Sequence, residues 1–288
     1  MSIEPGTLLV VATPIGNLKD ITIRAVEALE KADLIAAEDT RHTRKLLAHL
    51  DIRKKMTSCN EHNESEKIEN ILKLLQEGRT VALVSDAGTP GLSDPGARLV
   101  AAVRARGLDV IPVPGPSAIA AALSVSGFPG SEVYFAGFLP SRHADRVKRL
   151  KALAGMEVPM VYYEAPHRLL KTLKDMLSIL GDRKIFLARE MTKRHETYIS
   201  STVSGLLAEF QGREVKGEIT LIVEGSREKS DNMPDMDSLT TVIESMMTGS
   251  RMPVKQLSAV LSRLTGISRG KIYSMALEFQ ESQAGGKV

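Results

Sequence analysis

From Thr7 to about Gly127, short apolar runs alternate with stretches of helical period: TLLVVAT, ITIRAVEALEKA, DLIAAED, SEKIENILKLL, TVALVSDAG, ARLVAAVRA and DVIPVPG. Strand-length runs separated by amphipathic helices are the pattern of βα units, in which each strand lies parallel to its neighbours because a helix carries the chain back. The clearest helix places Ile68, Ile71, Leu72 and Leu75 at i, i+3, i+4 and i+7, with Gly78 where a stop is expected. A turn-rich stretch, SVSGFPGS at 124–131, then opens a second half whose runs EVYFAGFLP, VPMVYYEAP, RKIFLARE, ETYIS and EITLIVEG follow one another more closely. There the one long, strongly periodic helix carries Leu169, Leu173, Met176, Leu177 and Leu180, so a mixed sheet is predicted.

Residues 226–237 (SREKSDNMPDMD) are polar and nearly free of aliphatic side chains, which reads as a linker. Beyond it Leu257, Val260, Leu261 and Leu264 have helical spacing, Gly266 supplies a stop, and Ser268 is placed to cap a last helix through Phe279. The organisation predicted is an α/β domain over 1–125, a second over 126–226, a linker over 227–237 and a small helical tail over 238–288. The tail resembles a helix-turn-helix only weakly. With eight basic and seven acidic residues after Ser226, a packing or dimerisation appendage fits it as well as a nucleic-acid reader.

Composition narrows this picture at a few points. A chain of 288 residues with 43% hydrophobic content can bury more than one core. Its single cysteine, Cys59, excludes an intramolecular disulfide and a thiolate-built zinc site, and no metal is expected. No basic stretch precedes an apolar run at the N-terminus and no run is apolar enough to span a bilayer, so the expectation is a cytoplasmic protein without a membrane partner. A net charge of +3 permits a nucleic-acid partner without requiring one. Aromatics are only 4% and tryptophan is absent, which disfavours a platform stacking several bases. Phe128, Tyr134 or Phe138 remain candidates to stack a single one.

The chemistry is signalled by three Gly/Pro-rich turns, each at the C-terminal end of a predicted strand: Thr13-Pro14-Ile15-Gly16-Asn17, Ser85-Asp86-Ala87-Gly88-Thr89-Pro90 and Val113-Pro114-Gly115-Pro116-Ser117. Open α/β sheets bind ligands at strand C-termini. Glycine lets backbone approach a ligand closely, and proline stiffens the loop. None of the three is a phosphate cradle, because neither G-x-x-x-x-G-K-[ST] nor G-x-G-x-x-G occurs after a strand. The hydrolase signatures H-E-x-x-H and G-x-S-x-G are absent too. Asp86 is the obvious ligand carboxylate, although capping its own turn would account for it equally well.

Taken together, VATPIGNLKDITIRA, AEDTRHTRKLL, SDAGTPGLSDPG, VPGPSA and YYEAPHR resemble the tetrapyrrole methylase family over about Thr7 to Gly225, in the branch that methylates ribosomal RNA. Ring-methylating relatives carry a more glycine-rich first loop and a G-D-P second loop, where this chain has Pro14-Ile15-Gly16 and Asp86-Ala87-Gly88-Thr89-Pro90. The resemblance implies two α/β domains with S-adenosylmethionine held in the cleft between them, a homodimer, and 2′-O-methylation of a cytidine in small-subunit ribosomal RNA, free or in the assembled subunit. Carried over residue by residue, the donor pocket is implied to use Pro14, Gly16, Asp86, Ala87, Gly88, Pro114, Gly115, Ser117 and Ala118, with Glu218, Ile219 and Thr220 from the second domain.

Transfer to a ribose hydroxyl requires in-line alignment and a group to take the hydroxyl proton. Glu38, Asp39, Glu164 and Glu190 are the candidates, and sequence does not choose among them. Asp39 or Thr40 would equally serve as a helix cap. Three basic stretches offer phosphate contacts, 41–55, 142–151 and 183–194. Their candidate residues are Arg41, Arg44, Lys45, Arg142, Lys148, Arg149 and Arg189, joined by Arg168 after the YYEAP run; solvated helix faces are the alternative. Two rival readings stay open: a small-molecule methyltransferase of the same fold, and a non-catalytic RNA-binding assembly factor.

Overall fold

The alternating runs of the first half fold into a five-stranded sheet in which every neighbouring pair is parallel: β1 (Leu8–Val11), β2 (Leu34–Ala37), β3 (Met56–Ser58), β4 (Val81–Val84) and β5 (Val110–Val113), in the order β3-β2-β4-β1-β5. The computed structural model describes residues 6–60, 63–227, 236–249, 252–265 and 267–284, which fall into two units, Met1–Gly225 and Ser226–Val288. Helices α1 (Ile23–Lys31), α2 (Thr40–His49), α3 (Glu64–Gln76) and α4 (Ala97–Ala105) connect the strands of this sheet. Both faces are covered, which is why β4 reads as an unbroken apolar run, buried at all four positions. Ala25 and Leu29 of α1 pack with Leu9, Val11 and Ile35 on one face; Ile71 and Leu75 of α3 and Leu99 and Val103 of α4 pack with Leu8, Ala36 and Leu83 on the other.

That division of the helices sets the position of the site. β1 and β4 are neighbours, yet the helix after β1 lies on one face and the helix after β4 on the opposite face. The chain leaves the two strand ends in opposite directions and opens a crevice between them, the topological switch point of an open parallel sheet.

The second half forms the mixed sheet read from its closely spaced strands: β6 (Tyr134–Phe138), β7 (Met160–Glu164), β8 (Lys184–Arg189), β9 (Thr197–Thr202) and β10 (Ile219–Val223), in the order β6-β7-β10-β8-β9. Only β6 and β7 run parallel; the remaining pairs are antiparallel. The helix α5 (Ala118–Ser126) covers one face of this sheet, where Ala122 packs among Val161, Phe186, Ala188 and Ile222. The helices α6 (His143–Leu153), α7 (Leu169–Leu180) and α8 (Val203–Phe210) cover the other, around Tyr162, Leu187 and Leu221.

Two details depart from the sequence pattern. The line near residue 125 follows the turn-rich stretch, whereas α5, N-terminal to that line, packs against the second sheet. Within the basic stretch 142–151, α6 turns Arg146 inward: its side chain is 4% exposed, pairs with Asp175 at 2.7 Å and donates to the Pro140 and Ser141 carbonyls. A cation on the buried face conceals the apolar period of α6.

The unit 226–288 contains α9 (Met236–Gly249), α10 (Val254–Thr265) and α11 (Arg269–Ala284), around Leu239, Ile243, Leu257, Leu261, Ile267 and Ile272. Ser268 caps α11, its hydroxyl accepting from Lys271 N–H at 3.4 Å. Leu257 and Leu261 are buried as their spacing predicts, while Val260 is 40% exposed. The side chain of Leu264, Gly266 and most of the 227–237 stretch lie outside the described residues.

Candidate active site

The loop after β1 and the loop after β4 are tied into one structure at the switch point. Thr13 and Gly88 exchange backbone hydrogen bonds at 2.8 and 3.0 Å, and the Thr13 hydroxyl donates to the Ser85 carbonyl at 3.1 Å. Gly88 adopts φ +80°, a conformation that other residues enter only at a cost. A second tie joins β2 to β4: the Asp86 N–H donates to the Glu38 carboxylate at 3.2 Å, and the Asp39 N–H donates to the Asp86 carboxylate at 3.1 Å.

Beside these loops lies a cavity of about 560 Å³, within the size range of small-molecule sites. Its first wall is made by Ile15, Ala87, Gly88 and Thr89, with Leu92 and Asp94 further along the β4–α4 loop and Ser117 and Ala118 at the start of α5. The second half supplies the facing wall: Phe138, Tyr163 to Pro166, Glu190, Met191, Lys193 and Gly217 to Thr220. The walls touch where Gly16 meets the turn after β8. A Cβ on Gly16 would lie 2.6 Å from Lys193 Cγ and 2.7 Å from Thr192 Oγ1, and the Asn17 N–H donates to Thr192 Oγ1 at 3.0 Å. Thus Gly16 permits contact between the walls rather than lining the cavity.

The turn after β8 is held in an unusual backbone, with Glu190 at φ +53° and Thr192 at φ +66°. Such conformations in side-chain-bearing residues persist where surrounding contacts over-determine them. Here the Glu190 carboxylate accepts from Lys193 Nζ at 2.8 Å and from the Glu218 N–H at 2.9 Å, and Lys193 Nζ reaches the Glu218 carboxylate at 3.0 Å. The lysine hydrogen bond holds the Glu190 carboxyl below its usual value. Burial works against the charge of Lys193, but its two carboxylate partners outweigh burial and raise it.

The acids on the first wall sit in a different environment. Burial raises the Glu38 carboxyl, reinforced by Asp86 and Asp39 and only partly opposed by the Asp86 amide. Burial, followed by the nearby Glu38 charge, pushes the Asp94 carboxyl up to about 6, against a lowering hydrogen bond from Ser85. Across the cavity, partial burial reinforced by the nearby Asp94 charge pushes the Tyr163 hydroxyl up to about 12.

The residues singled out from sequence separate by location. Ala87, Gly88, Ser117, Ala118, Glu218, Ile219 and Thr220 line the cavity. Pro14 is buried beneath it, Asp86 ties two loops together, and Pro114 and Gly115 stand on the surface; the Cβ a side chain would add at Gly115 meets Ala12 Cβ at 3.1 Å. Of the four candidate bases, Glu164 and Glu190 reach the cavity. Asp39 caps α2, accepting from the Arg41 N–H at 2.8 Å, and pairs with the Arg41 guanidinium, which holds its carboxyl down at about 2. Glu164 is 2% exposed and accepts from the Ala165 N–H and the Thr172 hydroxyl; Arg168 Nε lies 3.2 Å away as a charge contact without hydrogen-bond geometry.

Among the basic candidates, Arg41, Arg44, Lys45, Arg142 and Lys148 are exposed. Arg149 is engaged by the Tyr134 hydroxyl at 2.6 Å, Arg168 by the Leu139 carbonyl, and Arg189 by the Thr197 hydroxyl at 3.0 Å. Asp94, Tyr163 and Lys193 line the cavity without having been singled out as candidates: the first two lie within the quoted motifs SDAGTPGLSDPG and YYEAPHR, and Lys193 within the basic stretch 183–194. For Asp94 a signal existed, since Ser93-Asp94-Pro95-Gly96 repeats the acid-in-a-Gly/Pro-turn composition of the loop before it.

A parallel sheet with a ligand cavity at its switch point, faced by a second mixed sheet and without a phosphate cradle, is the architecture of a small-molecule site. Residues 7–207 match the model of the tetrapyrrole (corrin/porphyrin) methylases, and the chain belongs to that family and is a methyltransferase. Within it the chain is 44% identical to ribosomal RNA small subunit methyltransferase I of Escherichia coli O157:H7 over 96% of each chain. It is 50% identical to the protein of that name from Thermotoga maritima, over 76% of this chain and 99% of the relative. Among solved structures it is similar in fold to uroporphyrin-III-C-methyltransferase from Thermus thermophilus (TM-score 0.56, 20% identity, 76% of this chain and 94% of that one). A cobalt precorrin-4 methyltransferase is comparably similar (TM-score 0.57, 17% identity, 76% and 95%). Among the described residues no group of three or more His, Cys, Asp or Glu is placed to hold a metal, and no helix is long and apolar enough to cross a membrane.

Proposed function

We propose that this chain transfers the methyl group of S-adenosylmethionine to the 2′-hydroxyl of a cytidine in small-subunit ribosomal RNA. The observation that carries the reading is the cavity at the β1–β4 switch point, which brings the small residues Ala87, Gly88, Ser117 and Ala118 opposite the internally paired Glu190, Lys193 and Glu218. A donor of this kind has no phosphate to cradle. It presents an adenine, ribose hydroxyls, an amino-acid end and a cation, which suit backbone amides and carbonyls together with carboxylates. Ala87, Gly88, Ser117, Ala118 and Ile219 to Thr220 are the residues that would hold it, and the room above Gly88, where a Cβ would come no nearer than 3.5 Å to Ile15 Cγ2 and 3.9 Å to the Pro116 carbonyl, admits close approach. When bound, the donor supplies a methyl carbon on a positively charged sulfur.

The RNA substrate is supported by the names of the relatives and by the exposed cations Arg41, Arg44 and Lys45 on α2 and Arg142 and Lys148 at α6. Phosphate contacts of this kind make affinity fall steeply with salt. At the rim of the cavity Phe138 is 54% and Leu92 44% exposed, apolar surface that suits one unstacked base. Assembly as a homodimer in the cytoplasm belongs to the same reading. It is supported by α5, apolar on nearly all sides, whose Val125 is 57% exposed, and sedimentation at micromolar concentration tests it.

The test is transfer of labelled methyl to small ribosomal subunits from a strain lacking the protein, with nuclease mapping of the product. Label on a ribose 2′-oxygen, abolished by Gly88→Val, is the expected result. Donor binding without RNA labelling would redirect the search to small-molecule substrates, and absence of donor binding would leave an RNA-binding assembly factor.

A further inference from the structure

Four carboxyls line the cavity, and three are already committed. Glu164 is enclosed by Ala165 N–H, the Thr172 hydroxyl and Arg168; Glu190 and Glu218 share Lys193. The lysine holds the Glu190 carboxyl below its usual value, which makes it a correspondingly poor proton acceptor. Among the described residues Asp94 has no cation partner. The charged groups that face it are acids, Glu38 from the end of β2 and Asp86 from the end of β4; Tyr163 approaches from β7, and its hydrogen bond comes from the buried hydroxyl of Ser85.

Its loop is built to hold it there. The Gly91 N–H closes the loop on the Pro95 carbonyl at 3.2 Å, with Gly91 at φ +83° and Ser93 at φ +66°. Gly96, at φ +126°, is pressed against Leu83, where a Cβ would fall 2.8 Å from Cδ2, and the Ser93 hydroxyl lies 3.2 Å from where a Cβ of Gly137 would stand in the β6 bulge. A loop closed on itself and packed against Leu83 thus places at the cavity a carboxyl whose neighbouring charges are acids.

We propose that Asp94 is the general base of methyl transfer, accepting the proton of the ribose 2′-hydroxyl. The proposal rests on the RNA reading above. As the O–H bond breaks, its electron pair forms the bond from oxygen to the methyl carbon, the carbon–sulfur pair leaves with sulfur to give a neutral thioether, and the proton resides on the Asp94 carboxyl until water removes it. The raised proton affinity of Asp94 suits this task, because a base tuned toward neutrality is still ionised at working pH and accepts a proton more readily than an ordinary carboxylate.

The experiment compares wild type with Asp94→Asn and Asp94→Ala in the full chain. In single-turnover methylation of small subunits, Asp94→Asn is expected to lower the rate about 10²–10⁴-fold with donor Kd and RNA KM within about threefold of wild type. Added formate should restore part of the rate of Asp94→Ala, which a merely structural side chain would not allow. Independently of activity, carboxyl-carbon NMR of the free protein should show one aspartate titrating near 6 and missing from Asp94→Asn. A variant rate within tenfold of wild type, or an unchanged rate with raised KM and accepted uridine, overturns the proposal, the latter in favour of an acceptor for the cytosine amino group. Wild-type protein that binds the donor and leaves subunits unlabelled overturns the RNA reading itself, and this assignment with it.

Discussion

The two sheets furnish the cavity with acids of opposite character. On the second sheet every carboxyl at the cavity is matched by a cation or an amide, Glu164 with Arg168 and Glu190 with Lys193, so these groups fix the wall and are electrically spent. On the first sheet burial raises both Asp94, which lines the cavity, and Glu38, which lies outside its lining; the Glu38 charge adds to the rise at Asp94, and His42 only partly offsets the rise at Glu38. Paired acids stabilise a wall; unpaired acids destabilise it and leave reactivity available. Mutations on the two sides should therefore separate stability from chemistry.

The largest stability effect belongs to Glu164→Gln. Its carboxyl is 1% exposed and engages three partners at once, and the substitution leaves Arg168 without its counter-charge inside the fold. Breaking a buried pair from one side costs about 3–5 kcal/mol, to be read as a lowered denaturation midpoint. A variant as stable as wild type would remove the contrast between the walls. Next comes Gly217→Ala. Gly217 has φ +90° and a Cβ there would fall 2.2 Å from Glu190 Cγ, so both the backbone and the Glu190–Lys193 turn must yield. A loss of about 1–3 kcal/mol with weakened donor binding is expected. Gly130→Ala, in open space, should change neither.

How far the sequence revealed this arrangement follows from the same contrast. The first wall is made of strand-end turns that need glycine and proline, so the turns carrying Ala87, Gly88 and Ser117 were legible from composition and position, while Ala118 entered only through the family resemblance. On the second wall the decisive turn uses Glu190 and Thr192 at positive φ, residues whose identity announces no turn, and its stability comes from contacts distant in sequence. Asp39 shows the complementary problem: one residue satisfied both a cap pattern and a catalytic one, and only the Arg41 contact and its place away from the cavity separate them. Switch-point geometry was equally out of reach, because it depends on which face α1 and α4 take rather than on either helix's own pattern.

Lys193→Met tests the second wall more gently. The lysine is 31% exposed and its partners Glu190 and Glu218 are 26% and 73% exposed, so solvent screens both pairs and the stability change should stay within about 1 kcal/mol. Loss of the lysine also frees Glu190. If that carboxyl then served as a base, Lys193→Met would partly rescue Asp94→Asn; no rescue is expected, because the Glu218 amide still holds Glu190.

The smallest effect is the pH slope of stability, and its sign is fixed by the first wall. Asp94 ionises at about 6 in the fold against 3.8 when unperturbed, so between these values the folded chain holds a proton that the unfolded chain has released. Stability falls with rising pH wherever the folded state binds more protons. Relative to Asp94→Asn, which has no proton to lose, wild type should thus lose stability as pH rises from about 4 to about 6 and keep a constant deficit above that range. Thermal melts of the pair at matched ionic strength measure the difference, cancelling groups common to both, such as Asp39. A flat difference would mean that Asp94 ionises as an ordinary carboxylate, and the division between spent and available acids at the cavity would lose its available member. A stabilised, inactive Asn variant would instead show that the acid on the first wall is kept despite its cost to the fold.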